Sequence, residues 1–218
     1  MTIANYLTLL RLLISPIFLL SYTAHEALGI SPIVLPYLLL ALLAISELSD
    51  ACDGYLARKY NQVTDLGKIL DPMADSISRI TVFLAFTQPP VSLPVFLIFI
   101  FLYRDSSVST LRTVCALRGF ALAARLSGKI KAVIQALAAL AIILLMIPHS
   151  QGEIQTATLQ LVSTWIVSVA GVYTLFSGLD YIYANRRYVA KLLTIPQAKD
   201  LATRSRKYLK QMYLRSRA

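Results

Sequence analysis

Four aspartates, Asp50, Asp53, Asp71 and Asp75, stand in a chain that is 57% hydrophobic. Carboxylates inside apolar segments are costly, so they mark a functional site. The first two are spaced i,i+3 and the last two i,i+4, and each pair projects from one helix face. Between the pairs lie Gly54, Ala57, Arg58, Lys59, Asn61 and Gly67. If residues 59–65 form the turn of an antiparallel helix hairpin, Asp53 falls level with Asp71 and Asp50 level with Asp75, about 14 to 20 Å from the turn at the helical rise per residue. Four anions at one depth stay ionised only where cations compensate them. Oxygen-only ligands favour a hard cation, Mg²⁺, Mn²⁺ or Ca²⁺, and four aspartates suit a pair of ions sharing bridging carboxylates, a common device for phosphoryl chemistry. Gly54 and Ala57 open space beside the carboxylates and Arg58 keeps a guanidinium close, which suits a phosphate held between metal and Arg. Gly67 permits close approach of a helix or a substrate. An ion-transport or proton-relay site uses the same residue types, so a membrane cation transporter stands as the competing class. The dense grouping beside Arg and Gly favours an enzyme that handles phosphate.

The elements that must carry these residues are membrane helices. With 218 residues and a mean hydropathy of +0.65, the chain falls in the membrane class. Six apolar stretches approach the length needed to cross a bilayer, residues 8–24, 33–57, 66–87, 92–114, 130–148 and 157–183. The 21 Lys and Arg residues fall at one membrane side or within a span adjoining it: Arg11 after the N-terminus, Arg58, Lys59 and Lys68 around the second turn, Arg79 and Arg104 within spans, Arg112 to Lys131 around the fourth connection, and Arg186 onward. The loops around His25-Glu26, Gln88–Pro94 and His149–Glu153 carry neither Lys nor Arg, so the basic side is read as cytoplasmic. The expected fold is all-α, an integral membrane bundle of six transmembrane helices with both termini cytoplasmic. Residues 1–190 would form the six-helix domain and 191–218 a basic tail, whose Leu201, Tyr208, Leu209 and Met212 give it amphipathic spacing.

A net charge of +10 spread along the connections of a membrane bundle, with no nucleic-acid motif, argues against nucleic acid. Anionic membrane lipids and phosphorylated substrates are the expected partners. The opening MTIANYLTLLRLL has no basic region before its apolar stretch and no small-residue cleavage site, so it reads as a retained first span. Cys52 and Cys115 have no metal-ligand spacing and read as reduced thiols.

The pattern Asp50-x2-Asp53-Gly54-x2-Ala57-Arg58-x8-Gly67-x3-Asp71-x3-Asp75 resembles, position for position, the signature of the CDP-alcohol phosphotransferases. That resemblance implies an integral membrane enzyme that uses divalent metal and an alcohol to displace CMP from a CDP-linked lipid. It makes Asp50, Asp53, Asp71 and Asp75 the metal site, expected to hold two Mg²⁺ or Mn²⁺ ions, and Asp75 also the general base. Asp53, Gly54, Ala57 and Arg58, with Gly67 nearby, would line the CDP-lipid pocket. Related enzymes are often homodimers.

The acceptor alcohol is read from three further stretches. Asn5-x2-Thr8-x2-Arg11 is a polar stripe that serves either as a cap and topological anchor or, by its resemblance to the opening of bacterial phosphatidylglycerophosphate synthases, as a holder of the nucleotide diphosphate. Arg104-Asp105-x6-Arg112 and Ser127-Gly128-Lys129-Ile130-Lys131 also resemble regions of those synthases. Arg104, Arg112 and Lys131 are then expected to form a cationic pocket for a phosphorylated acceptor, with CDP-diacylglycerol as donor and glycerol 3-phosphate as acceptor, in the inner cell membrane with the active site facing the cytoplasm. Asp105 replaces the usual Glu of those synthases and Ser76 their usual Lys, with Arg79 a possible substitute cation. These departures leave inositol phosphate, inositol, serine or a phosphatidyl lipid as alternative acceptors. Glu47 is expected to pair with Arg79, and Asp180 with basic residues.

Overall fold

A computed structural model describes residues 3–59, 65–117, 122 and 125–193. Seven helices follow in order: α1 (Ile3–Thr23), α2 (Leu35–Lys59), α3 (Asp65–Ala85), α4 (Val95–Leu117), α5 (Leu126–Ser150), α6 (Thr156–Ala184) and the short α7 (Arg186–Leu193). No strand occurs among the described residues, and the first six helices match the six expected apolar stretches to within a few residues. α2 ends at Lys59 and α3 begins at Asp65, and the rest of the expected turn at 59–65 lies outside the described residues. The expected amphipathic segment around 197–218 lies outside the described residues.

Local chemistry sets several helix ends. Ser31 Oγ accepts the Val34 N–H, at 3.3 Å, in the turn leading into α2. Pro36 occupies the second residue of α2, where a missing N–H costs nothing. After α5, Gly152 takes a φ of 82°, a left-handed turn conformation that side chains disfavour.

Among the described residues, four helices, through the windows Tyr6–Thr23, Leu35–Cys52, Leu126–Ser150 and Thr156–Ala184, are long and apolar enough to cross a membrane. This is fewer than the six expected. α3 is interrupted by Lys68, Asp71, Asp75 and Arg79, and α4 by Arg104, Asp105 and Arg112. The outward faces stay apolar: Leu161, Trp165, Val169, Val172 and Leu179 along α6 are all exposed, a surface suited to lipid rather than water.

Hydrogen bonds between helices fix their relative directions. Thr8 meets Asp71 and Ser15 meets Ser78, so α1 and α3 run the same way. Ser127 meets Asp180 and Gln135 meets Thr174, so α5 and α6 run oppositely. An aromatic cluster fills the end of the α1–α3 pair remote from the aspartates. Phe86 meets Phe18, Tyr22 and Phe83 edge-on at centroid distances of 6.1, 5.6 and 6.3 Å, and Phe83 meets Phe101 of α4 at 4.9 Å. Such contacts add to the burial of large rings. The Tyr22 hydroxyl donates to the Gln88 carbonyl oxygen at 3.1 Å and accepts the Val91 N–H at 3.3 Å, tying α1 to the α3–α4 connection.

Phe86→Ala is expected to lower stability by about 3–5 kcal/mol, and Tyr22→Phe by about 1 kcal/mol. Thermal unfolding of the detergent-solubilised variants checks both magnitudes and their order.

Candidate functional site

Thr8, Arg11 and Ser15 lie at helical spacing on one face of α1, and all three are buried. Asp71, Asp75 and Ser78 repeat that spacing on α3. Facing each other in parallel, the two faces form a polar seam. Thr8 Oγ1 donates to Asp71 Oδ1 at 2.8 Å. One guanidinium nitrogen of Arg11 donates to Asp50 Oδ1 at 2.6 Å and also to Asp75 Oδ1. Ser15 Oγ donates to the Arg11 carbonyl oxygen and pairs with Ser78 Oγ, each at 2.9 Å.

The seam realises part of the hairpin geometry read from spacing. Asp50 of α2 and Asp75 of α3 share one nitrogen, so they do stand at one depth. Arg11 is only 2% exposed, whereas the two carboxylates are 37% and 33% exposed. A cation that merely anchored the helix end would extend towards water. Arg11 instead turns inward and compensates two anions, as a charge at this depth requires.

The donor chemistry fits a hard divalent ion. Asp50 and Asp75 aim one oxygen each at a single positive group, and Asp71 lies one turn away on the same helix face, so these oxygens could hold a hard cation. Among the described residues, no three His, Cys, Asp or Glu side chains form a metal-binding group by themselves. The backbones of Asp53, Gly54, Ala57 and Arg58 belong to α2, that of Gly67 to α3 and that of Asn5 to α1; their side chains lie outside the described residues.

A second charged cluster joins α4, α5 and α6. Lys131 Nζ donates to both oxygens of Asp105, at 2.7 and 2.8 Å. Arg104 donates to Asp105 Oδ1 at 3.0 Å and to Ser177 Oγ at 2.8 Å. Arg112 does not join this pair: eight residues on, about 12 Å along the helix, its guanidinium lies 5.3 Å from the Tyr181 ring centroid and its Nε donates to the Tyr181 hydroxyl at 3.2 Å. Asp180 accepts from Arg125 and Ser127, at 2.9 and 2.6 Å, and so has the basic partner expected of it.

The pairing expected between Glu47 and Arg79 is not formed: among the described residues no ion pair joins them. Both line a crevice between α2, α3 and α5 with Ser46, Ser78 and Gln135. Its volume of about 20 Å³ gives room for a water rather than a direct contact.

Ser15, Ser78, Ser177 and Tyr181 were not singled out from the sequence. For the first two a signal exists, since Ser15 follows Thr8 and Ser78 follows Asp71 by two helical turns. Ser177 and Tyr181 sit in an apolar helix with nothing to distinguish them.

The model of the CDP-alcohol phosphatidyltransferase family matches residues 1–176. The chain belongs to that family. CDP-alcohol phosphatidyltransferases are transferases, which sets aside the transporter reading of the carboxylates. Among curated relatives, the CDP-diacylglycerol–glycerol-3-phosphate 3-phosphatidyltransferase of Bacillus subtilis is 33% identical over 187 residues, covering 83% of this chain and 93% of the relative. The protein of the same name from Rickettsia felis is 31% identical over 186 residues, covering 84% and 95%. A probable phosphatidylglycerophosphate synthase of Mycobacterium tuberculosis is 31% identical over 180 residues, covering 83% and 79%. In this CDP-alcohol phosphatidyltransferase, Asp50, Asp71 and Asp75 of the family signature meet Thr8 and Arg11 of α1.

Arg11→Ala is expected to cost about 2–3 kcal/mol, because it leaves Asp50 and Asp75 opposed while partly open to solvent. Ser15→Ala should cost about 1 kcal/mol. Adding Asp50→Asn to Arg11→Ala should recover part of the loss, and thermal unfolding of the three variants gives the comparison.

Proposed function

We propose that this chain transfers the phosphatidyl group of CDP-diacylglycerol to glycerol 3-phosphate, yielding phosphatidylglycerophosphate and CMP. The observation that carries the reading is the convergence of Asp50, Asp71 and Asp75 on α1, within a chain whose curated relatives bear the name of that reaction. The bundle crosses the inner cell membrane six times in this reading, with both termini and the aspartates on the cytoplasmic side. α3 and α4 then place their charged residues inside the bundle and towards its cytoplasmic end. Residues 1–190 carry the reaction, 191–218 form the basic tail, and the protein works as a homodimer.

The family is generally dependent on a divalent metal. Asp50, Asp53, Asp71 and Asp75 would hold it, as two Mg²⁺ or Mn²⁺ ions. When bound, the metal neutralises charge on the diphosphate and stabilises the departing CMP. Asn5, Thr8 and Arg11, with Asp53, Gly54, Ala57, Arg58 and Gly67, bind the CDP-lipid headgroup, while its acyl chains remain among the apolar outer faces. Arg104, Lys131 and Arg112 bind the acceptor phosphate.

In the reaction the acceptor hydroxyl attacks the phosphorus that bears the diacylglycerol. A new oxygen–phosphorus bond forms in line with the breaking bond to the CMP oxygen. Asp75 takes the hydroxyl proton, a role that needs its carboxylate free at the moment of attack. Arg11 stands against the same carboxylate, so the base is oriented before the acceptor arrives.

Asp75→Asn is expected to abolish CMP release while leaving folding and CDP-diacylglycerol binding largely intact; turnover at the wild-type rate would remove Asp75 as base. CMP release by the wild-type protein with CDP-diacylglycerol and Mg²⁺ or Mn²⁺ should depend on glycerol 3-phosphate and be far weaker with inositol phosphate, inositol or serine. Release with serine alone would overturn the acceptor assignment.

A further inference from the structure

The Arg104–Asp105–Lys131 cluster contains a carboxylate that charge alone does not justify. A pocket for an anion gains from cations, yet both oxygens of Asp105 are spent on Lys131, and one also on Arg104. The three side chains are 11%, 10% and 5% exposed, which leaves the trio at a net charge of +1 and largely shielded from water. Such a carboxylate weakens anion binding unless it is needed to hold the cations in place.

The surroundings of Arg104 also restrict it. A Cβ at position 178 would stand 3.1 Å from Arg104 Cγ, and one at position 128 would stand 3.4 Å from its Nη2. Gly128 of α5 and Gly178 of α6 therefore make the slot through which the side chain passes. Ser177 holds the far end of the guanidinium at 2.8 Å. One turn deeper, Gln135 Nε2 donates to Thr174 Oγ1 at 3.3 Å and closes the floor between the same two helices.

We propose that Asp105 and the Ser177–Gly178 step of α6 are positioning residues, which lock Arg104 and Lys131 into one preformed fork for the phosphate of the acceptor. The proposal rests on the acceptor-site reading given above. The fork keeps donors to spare. An ammonium has three N–H groups and a guanidinium five; two of each are engaged, and Arg104 Nε is buried without a partner among the described residues. Asp105 and Gly178 touch no substrate in this scheme. They act through the two cations, and selectivity for a phosphorylated acceptor over an uncharged one follows from the fixed geometry.

The two accounts of Asp105 differ in sign. If it only dilutes positive charge, Asp105→Asn tightens anion binding; if it positions the cations, the same change weakens it. The test uses full-length protein in detergent micelles with CMP release as readout and inorganic phosphate as competitor against the acceptor. Asp105→Asn and Gly178→Ala are expected to raise both the acceptor KM and the phosphate inhibition constant about tenfold, as misplaced binding groups do, with the KM for CDP-diacylglycerol unchanged and Asp105→Glu partly restoring affinity. Ser177→Ala, a milder change, should shift the same two constants in the same direction, and it decides the matter should Asp105→Asn fail to fold. Phosphate inhibition that is unaltered or stronger in these variants, or equal changes in both KM values, overturns the positioning role and leaves the acceptor assignment standing. Wild-type protein that ignores inorganic phosphate and uses only an uncharged acceptor overturns the acceptor reading, and the proposal with it.

Discussion

A positive charge must stand between Asp50 and Asp75, and most of the first half of the bundle follows from that need. The two carboxylates come from different helices and face each other across one guanidinium nitrogen, close enough for their charges to repel. Arg11 meets them from a third helix. Its guanidinium sets the rotation of α1, and that rotation in turn presents Thr8 to Asp71 and Ser15 to Ser78. Further along, the same register brings Phe18 and Tyr22 to Phe86. Polar seam and aromatic cluster are the two ends of one helix contact, the first specifying register and the second supplying burial.

The second half of the bundle solves a similar problem differently. Arg104 and Lys131 are compensated by a carboxylate that neighbours Arg104 in sequence, and glycines from α5 and α6 make room for the long side chain. The aspartate site is half-open, with Asp50 and Asp75 about a third exposed. The Arg104–Asp105–Lys131 cluster is nearly closed.

What the sequence revealed and what it concealed divide along physical lines. Helix positions were readable because apolar runs and intervening polar turns are local properties, and the six long helices fall where those runs lie. The depth match of Asp50 with Asp75 was readable because a hairpin converts sequence distance into axial distance. The partner of Arg11 was not, since a stripe on α1 does not state which helix it faces. Glu47 and Arg79 illustrate the same limit: axial level was inferred, but rotation about each helix axis is set by packing throughout the bundle. Arg112 was grouped with Arg104 by spacing, and its aromatic partner on α6 could not be read from that spacing. Ser177 and Gly178 acquire meaning only from a side chain reaching them from α4.

The constant offset of 63 to 64 residues along the α1–α3 seam also bears on how the molecule is made. A chain is synthesised from its N-terminus, so Thr8, Arg11 and Ser15 leave the ribosome well before Asp71, Asp75 and Ser78. During that interval Asp50 of α2 becomes available to Arg11, before Asp75 of α3. The α1–α3 seam therefore follows the contact between Arg11 and Asp50. It comes into being when the third helix arrives beside the first, which makes α3 the timekeeper of the nascent protein.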